Sequence, residues 1–384
     1  MENQELDKKR EKKPVSHKKT ILSILIVLLI TSVVFIVFFN FNDFNETLQL
    51  LKTVDGANMG KAVLCLVLYA ALWPISLCFI SKQNRFNAHF LDVYLIGESE
   101  HFFNAITPFS TGGQPIQVYL FTQKKIKASD STGIIVSNFI ALMIASNIYA
   151  IASLVFYGKF SENFTASTAW MIGLGFAMNL FTLVFMILMA TCKFVREALK
   201  KFLLQLCKIK FIGKHLAKAI PAFEKYCENA QGAAKKIFSH KTSFVGAILL
   251  KMLALLFYYA IPYYILKALG ADFGLRLMPY IILASAFAIT TMVWVPTPGG
   301  TGGIEFAFTT IFTVSLFGGL PSSIGLTGMI LWRALTYYLL MVLSAIAYIV
   351  YEILVKKEKK KILQTEVLEA SKEAEGIIEE IKED

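Results

Sequence analysis

The chain has 384 residues, 56% of them hydrophobic and only 17% charged, which leaves too little charge to coat a soluble domain of this length. Its net charge of +11 raises the question of nucleic acid. The Lys and Arg residues, however, sit in tails and loops beside apolar runs, as cytoplasmic segments facing an anionic leaflet do, and nucleic acid is not an expected partner.

The basic residues Lys8, Lys9, Arg10, Lys12, Lys13, Lys18 and Lys19 fill a tail over residues 1–20 and precede an apolar run, Ile21–Phe39. That run is too long for the core of a signal peptide and lacks a small-residue cleavage site, so it reads as a retained first span. A bilayer core about 30 Å thick needs about 20 apolar helical residues. Lys61–Ile80, Thr132–Tyr157, Ala169–Thr191, Ser243–Leu266 and Gly325–Leu354 meet that length, making six full spans with the first. Two further apolar stretches, Phe90–Phe121 and Leu277–Phe317, are interrupted. They read as re-entrant segments, or Leu277–Phe317 as two thin crossings that bring the total to eight spans. Backbone groups in hydrocarbon must be paired within their own element, and no ten-residue alternation of a barrel strand is present. The expected class is therefore all-α, a polytopic membrane protein.

The distribution of Lys and Arg orients it. Asp43, Glu46 and Asp55 against Lys52 put residues 40–59 outside; Lys82, Arg85, Lys124, Lys125 and Lys127 are inside, so Phe90–Phe121 leaves the inner face and returns to it. Residues 192–242 carry twelve Lys or Arg and form a cytoplasmic loop. Val195, Leu199, Phe202, Leu203 and Leu206 recur there at helical spacing, which predicts a pair of basic amphipathic helices broken near Pro221. The membrane domain spans 21–355, and residues 356–384 read as a charged, solvated helical tail. Both termini are expected in the cytoplasm of a bacterial cell.

An internal repeat is the most informative feature. Thr107-Pro108-Phe109-Ser110-Thr111-Gly112-Gly113 and Thr297-Pro298-Gly299-Gly300-Thr301-Gly302-Gly303 share T-P-x-x-T-G-G, each in the middle of an interrupted apolar stretch. Proline removes a donor and glycine frees the backbone to turn, so each copy predicts a helix break inside the membrane, buried in protein or facing a watery cavity. Opposed breaks of this kind suit an inverted repeat that builds a site near the midplane. The helix ends they create, at Ile116–Phe121 and Ile304–Phe317, are candidates to hold an anion such as a lipid phosphate.

Charges at membrane depth are functional candidates by default. Glu98, Glu100, His101 and Asn104 lead into the first break; Glu305 follows the second; Arg333 and Tyr337 lie in the last span. Lys251, about 13 Å into Ser243–Leu266, is either functional or snorkels to the inner surface. Arg333 and Glu305 are either substrate-binding or a mutual lock between helices. Asn138, Ser146 and Asn147 read as interhelical hydrogen-bonding groups, and Tyr258, Tyr259, Tyr263 and Tyr264 as an outer aromatic belt.

Cys65, Cys78, Cys192, Cys207 and Cys227 show no C-x-x-C spacing and the histidines no metal spacing. With no phosphate-binding Gly loop or nucleophile elbow either, no metal, no cofactor and no catalytic residue is expected, and ATP hydrolysis within the chain is not.

Asn104–Pro115, the Pro296-Thr297-Pro298-Gly299-Gly300-Thr301-Gly302-Gly303-Ile304-Glu305 segment, and Trp332-Arg333 with Tyr337 resemble the transmembrane region of the lysylphosphatidylglycerol synthase/flippase family, the multiple peptide resistance factors. The resemblance covers roughly residues 20–355. It implies movement of aminoacylated phosphatidylglycerol from the inner to the outer leaflet, which protects against cationic peptides. Full-length members add a large soluble domain that lysylates the lipid; only 30 residues follow Leu354 here. The expected function is thus that of a lipid flippase with phospholipid and the membrane as partners. Lysyltransferase activity, alone or with a separate synthase, and small-solute transport remain as alternatives, and a homo-oligomer is left open.

Overall fold

A computed structural model describes residues 44–83, 89–156, 166–208, 241–272, 274–295, 297–315 and 320–383, with a few positions between 220 and 232. The predicted span Ile21–Phe39, the tail before it and most of the second loop helix lie outside the described residues. Those described are helical throughout their regular elements, an all-α polytopic membrane protein. Gly56–Lys82, Ala128–Val155, Ala169–Met189, Lys241–Ala268, Leu275–Met292 and Ser322–Glu369 are long and apolar enough to cross a bilayer. Exposed Trp170, Leu174, Phe181 and Val184 give one of them a face that lipid would cover.

A short helix, α1 (Phe44–Lys52), precedes α2 (Gly56–Leu72). Asp55 starts α2: its carboxylate accepts the amides of Ala57 at 3.0 Å and Asn58 at 3.2 Å, which holds its carboxyl below the usual aspartate range. Pro74 then kinks the span into α3 (Ile75–Gln83). Proline has no N–H, and the amides of Leu77 and Cys78 both return to the Pro74 carbonyl, so the carbonyl of Trp73 is freed for side chains.

The first interrupted stretch forms α4 (Phe90–Glu98), α5 (Glu100–Ala105) and α6 (Gly113–Gln123). The 11 residues of α6 rise about 16 Å, half the bilayer core. The hairpin closes at its mouth, where Lys124 Nζ lies 3.0 Å from Asp92 and also pairs with Glu358 beyond the last span. Burial opposes the charge on Lys124, but its bonds to Glu358 and Asp92 outweigh that and hold its ammonium above the ordinary lysine value. This segment therefore enters and leaves by one face, as predicted.

The chain continues through α7 (Ala128–Val155), α8 (Ala166–Thr191), the loop helix α9 (Lys193–Leu206) and α10 (Lys241–Ala268). The opposite face is fixed by the Asp55 amide, which donates to the Ala268 carbonyl at 2.8 Å. Phe156, just past α7, meets Tyr280 with ring centroids 5.0 Å apart, placing the start of α11 (Met278–Met292) on that same Asp55 face. After the break, α12 (Gly303–Thr309) runs into a π-helical turn, Thr310–Ser315; the two segments of seven and six residues rise at most about 20 Å. Leu320 N–H then bonds the Phe312 carbonyl at 3.2 Å, and α13 (Ser322–Arg333) begins beside α1. The stretch Leu277–Phe317 thus returns to the face it entered by. Both readings require that return; the short return leg, well under the 30 Å core, fits a re-entrant segment, and the stretch opens opposite to the first hairpin.

Past Arg333 a second π-helical turn, Ala334–Leu339, leads into α14 (Leu340–Glu383), one helix through the last span and the charged tail. The main core joins α2, α10, α11, α12 and α13, and a second cluster gathers Leu120, Phe121, Ile126, Ala247 and Tyr351 under the Lys124 face. Gly175 of α8 packs so close to the Thr291 backbone of α11 that a side chain there would collide.

Candidate functional site

The two T-P-x-x-T-G-G loops fold alike through the closing threonine and part at the next glycine, Gly112 with φ of −74° and Gly302 of 94°. The carbonyl of Thr107 accepts the amide of Ser110 at 3.3 Å, and that of Thr297 accepts Gly300 at 3.2 Å. Proline takes the second place of each turn and a positive-φ residue the third, Phe109 at 57° or Gly299 at 60°, as a type II turn requires. Ser110 and Gly300 follow at 51° and 66°. The next threonine closes each loop, Thr111 Oγ1 donating to the Pro108 carbonyl at 3.1 Å and Thr301 Oγ1 to that of Pro298 at 2.7 Å. The second copy meets the left-handed backbone with two glycines. The first holds two side chains in it, at about 1–2 kcal/mol each. Such strain concentrates at functional sites.

The loops also meet. Pro108 and Pro298 form an isolated antiparallel bridge, so the tips of two hairpins that enter from opposite faces touch. Antiparallel contact of matching residues is what an approximate two-fold axis in the membrane plane produces. Tyr337 holds the joint from the side: its hydroxyl donates to the Ala105 carbonyl at 2.9 Å, and its ring lies where a Cβ on Gly299 would go. Gly299→Ala is accordingly expected to cost about 2 kcal/mol or more, from strain at positive φ plus displacement of the ring. Thermal unfolding in detergent would check it; Gly302→Ala, with open space around it, isolates the backbone part.

One expectation is narrowed here. At the helix ends after the breaks, the chain itself takes amides that an anion would use. Gly112 N–H donates to Thr107 Oγ1 and Gly113 N–H to Asn104 Oδ1, both at 2.8 Å, while Gly302 N–H donates to Glu305 Oε2 at 2.7 Å. The two breaks differ in burial, both within the expectation of a break buried in protein or facing a watery cavity. Gly300 and Thr301 are, and Thr297, Pro298 and Gly299 are half-buried, but Pro108, Phe109 and Thr111 are exposed. The hydrogen bonds made within the first loop satisfy polar groups that the bundle does not cover.

Beside the second loop, Arg333 Nε donates to Glu305 Oε1 at 2.7 Å, both side chains being about 95% buried. Glu305 thus spends one oxygen on the loop and the other on α13. Arg333 Nη2 is buried without a hydrogen-bond partner, and its guanidinium lies 5.1 Å from the Tyr337 ring. The pair locks helices and leaves one strong donor unused.

Beside the first loop is a second cluster. Lys251 is fully buried and does not snorkel; its Nζ donates to the freed Trp73 carbonyl at 3.1 Å and sits 3.4 Å from the Trp73 ring centroid. Trp73 Nε1 donates to Glu100 Oε2 at 3.1 Å, which Gln117 Nε2 reaches at 3.5 Å. Ser344 of α14 donates to the Glu98 carbonyl and accepts the Phe102 amide at 3.0 Å. Glu98 Oε2 and His101 Nε2 are buried with no partner.

Residues 21–344 match the family described as the lysylphosphatidylglycerol synthase TM region. The chain belongs to that family. A relative named a UPF0104 membrane protein, from Archaeoglobus fulgidus, is 24% identical over 297 residues, covering 76% of this chain and 86% of its own. The match to the transmembrane region spans both hairpins and Arg333, and stops within the last span before the charged tail.

Within this member of the lysylphosphatidylglycerol synthase TM family, the residues singled out from sequence divide between the two clusters. Thr297–Gly303, Glu305, Arg333 and Tyr337 form one; Glu98, Glu100, His101 and Lys251 form the other, with Thr107–Gly113 and Asn104 at the joint. Of the tyrosines predicted as an outer belt, Tyr258 instead bridges the two clusters. Tyr259 and Tyr263 are buried, and Tyr69, 5.4 Å from His101, meets Tyr258 with tilted rings 4.7 Å apart, and the Tyr258 ring approaches Trp332 at 6.4 Å. Of the predicted interhelical polar groups, Asn138 accepts Ser76 Oγ of α3 at 2.8 Å, whereas Ser146 and Asn147 bond their own helix. Trp73, Gln117 and Ser344 escaped the sequence reading. Trp73-Pro74 carried a readable signal, a proline inside a span beside an indole.

Proposed function

We propose that the protein moves a phospholipid between leaflets, with aminoacylated phosphatidylglycerol such as lysylphosphatidylglycerol as its substrate class and resistance to cationic peptides as the consequence. The observation that supports this most is the tip-to-tip meeting of two opposed hairpins, flanked by buried charge of both signs and exposed at Pro108, Phe109 and Thr111. Moving a lipid takes a polar path at depth that is open sideways, so that the acyl chains stay in hydrocarbon. Arg333 Nη2 is the unused donor suited to phosphate. Basic segments at the Lys124 face support a cytoplasmic side there, and on this reading, in a bacterial cell membrane, a separate synthase on that side would supply the lipid.

The test is the full chain in phosphatidylglycerol vesicles carrying a trace of fluorescent lysylphosphatidylglycerol, with leaflet exposure read by quenching. Exchange well above that of protein-free vesicles is expected. Arg333→Lys should slow it about tenfold or more, the worth of one charged hydrogen bond. Lipid exchange at the protein-free rate, with uptake of free lysine instead, would support a solute transporter.

A further inference from the structure

We infer that Glu98 is a proton-carrying site, and that the movement of lipid proposed above is coupled to proton movement through it. The inference rests on the charge pattern and burial of the cluster beside the first loop. Lys251 and Glu100 form a matched set around Trp73: the ammonium sits on the Trp73 carbonyl and ring, the carboxylate on the Trp73 indole N–H and Gln117. Glu98 is the carboxyl left over. Its side chain is buried, its Oε2 has no donor, and its backbone is held rigidly by Ser344.

A buried carboxylate oxygen without a donor is costly, whereas the neutral acid carries its own O–H and needs no counter-charge. Around Glu98 stand Tyr69 from α2, Tyr94 from its own helix, Glu100 from α5 and Lys251 from α10, with the Ser344 hydroxyl of α14 on its carbonyl; His101 of α5 faces Lys251 and Tyr69. Lys251 is the one cation of the set, and it is shared with Glu100. His101 Nε2, also without a partner, is the second group able to hold or pass a proton.

The step is a simple exchange. The Glu98 carboxylate takes a proton from water at one face, stays neutral while the site is closed, and returns the proton to water at the other face. The location fits coupling, because Glu98 ends α4 with only Ser99 between it and α5, the helix that carries the first loop, and the Tyr69–Tyr258 contact leads from this cluster to Trp332 beside Arg333. The two hairpin tips cannot separate without moving α5, and that motion is what would open Glu98 to water.

Two measurements on the full chain test this separately from lipid transport. The first is infrared difference spectroscopy against pH in nanodiscs, without added lysyl lipid. A carboxylic-acid C=O band that titrates is expected, absent in Glu98→Gln and shifted but present in Glu98→Asp. The second is lipid exchange in vesicles containing a pH-sensitive dye. A gradient of one pH unit should bias the leaflet ratio of fluorescent lysylphosphatidylglycerol about tenfold per proton, with a matching dye signal, and Glu98→Gln should remove both responses. The same band in Glu98→Gln, or lipid movement indifferent to the gradient, overturns the inference. A titrating Glu98 band in a protein that moves no lipid would keep the proton site and defeat the flippase reading alone.

Discussion

Glu305→Gln is expected to lower the stability of the helical bundle by about 3–5 kcal/mol, the usual consequence of removing one partner from a buried ion pair. The change preserves shape, so the loss comes from charge. Arg333 would stay buried with Nη2 already unpartnered and its Nε facing a neutral amide. The loop would suffer too, because Glu305 Oε2 also receives the Gly302 amide and places a negative charge at the start of α12. The second hairpin should loosen at its tip before the rest of the bundle does. Thermal unfolding in detergent gives the overall loss, and proteolysis near Gly302 locates it. The double variant Glu305→Gln with Arg333→Met should be more stable than Glu305→Gln alone, since no uncompensated charge is left. A double variant worse than either single one would mean that the two residues do not act as a pair.

Lys251→Met should have an effect of the same size, about 3–5 kcal/mol, from the other side of the joint. Methionine fills most of the space of the lysine stem but leaves Glu98 and Glu100 without a buried cation, and the Trp73 carbonyl with only the Ser76 hydroxyl. Combining Lys251→Met with Glu100→Gln should recover part of the loss. A lysine that snorkelled to the surface would tolerate methionine with almost no change, so the measurement separates the two roles. The kink at Pro74 is part of this design. An unbroken helix would commit the Trp73 carbonyl to an amide of the next turn and leave the ammonium without an acceptor.

The fold was legible where the physics is local. Apolar length marks the spans, and the T-P-x-x-T-G-G repeat marks both breaks, because proline and glycine act on the backbone wherever they stand. The repeat also announced the likeness of the two loops, down to the threonine that closes each. Partners distant in sequence were not legible. Glycines at a helix start look the same whether their amides face a phosphate or a side chain of the same chain, and only the positions of Thr107, Asn104 and Glu305 decide it. Parity of charged loops could not distinguish a re-entrant Leu277–Phe317 from two crossings, since both leave the termini on the same sides. Phe156 against Tyr280 and Leu320 against Phe312 fix the face at which both ends lie, and the short return leg through Thr310–Ser315 is what fits re-entry. Four tyrosines in one span read equally well as a lipid-facing belt or an internal bridge, and burial of Tyr259 and Tyr263 is a property of the packed bundle alone.

The meeting of the two hairpin tips is most directly tested by cross-linking. With the native cysteines replaced, Pro108→Cys and Pro298→Cys should form a disulfide on mild oxidation in native membranes, since paired antiparallel residues lie within its reach. Oxidised protein should hold lysylphosphatidylglycerol in the leaflet where it started, and reduction should release it. Failure of the two cysteines to join, or full lipid exchange by the joined protein, would contradict a joint at the heart of transport.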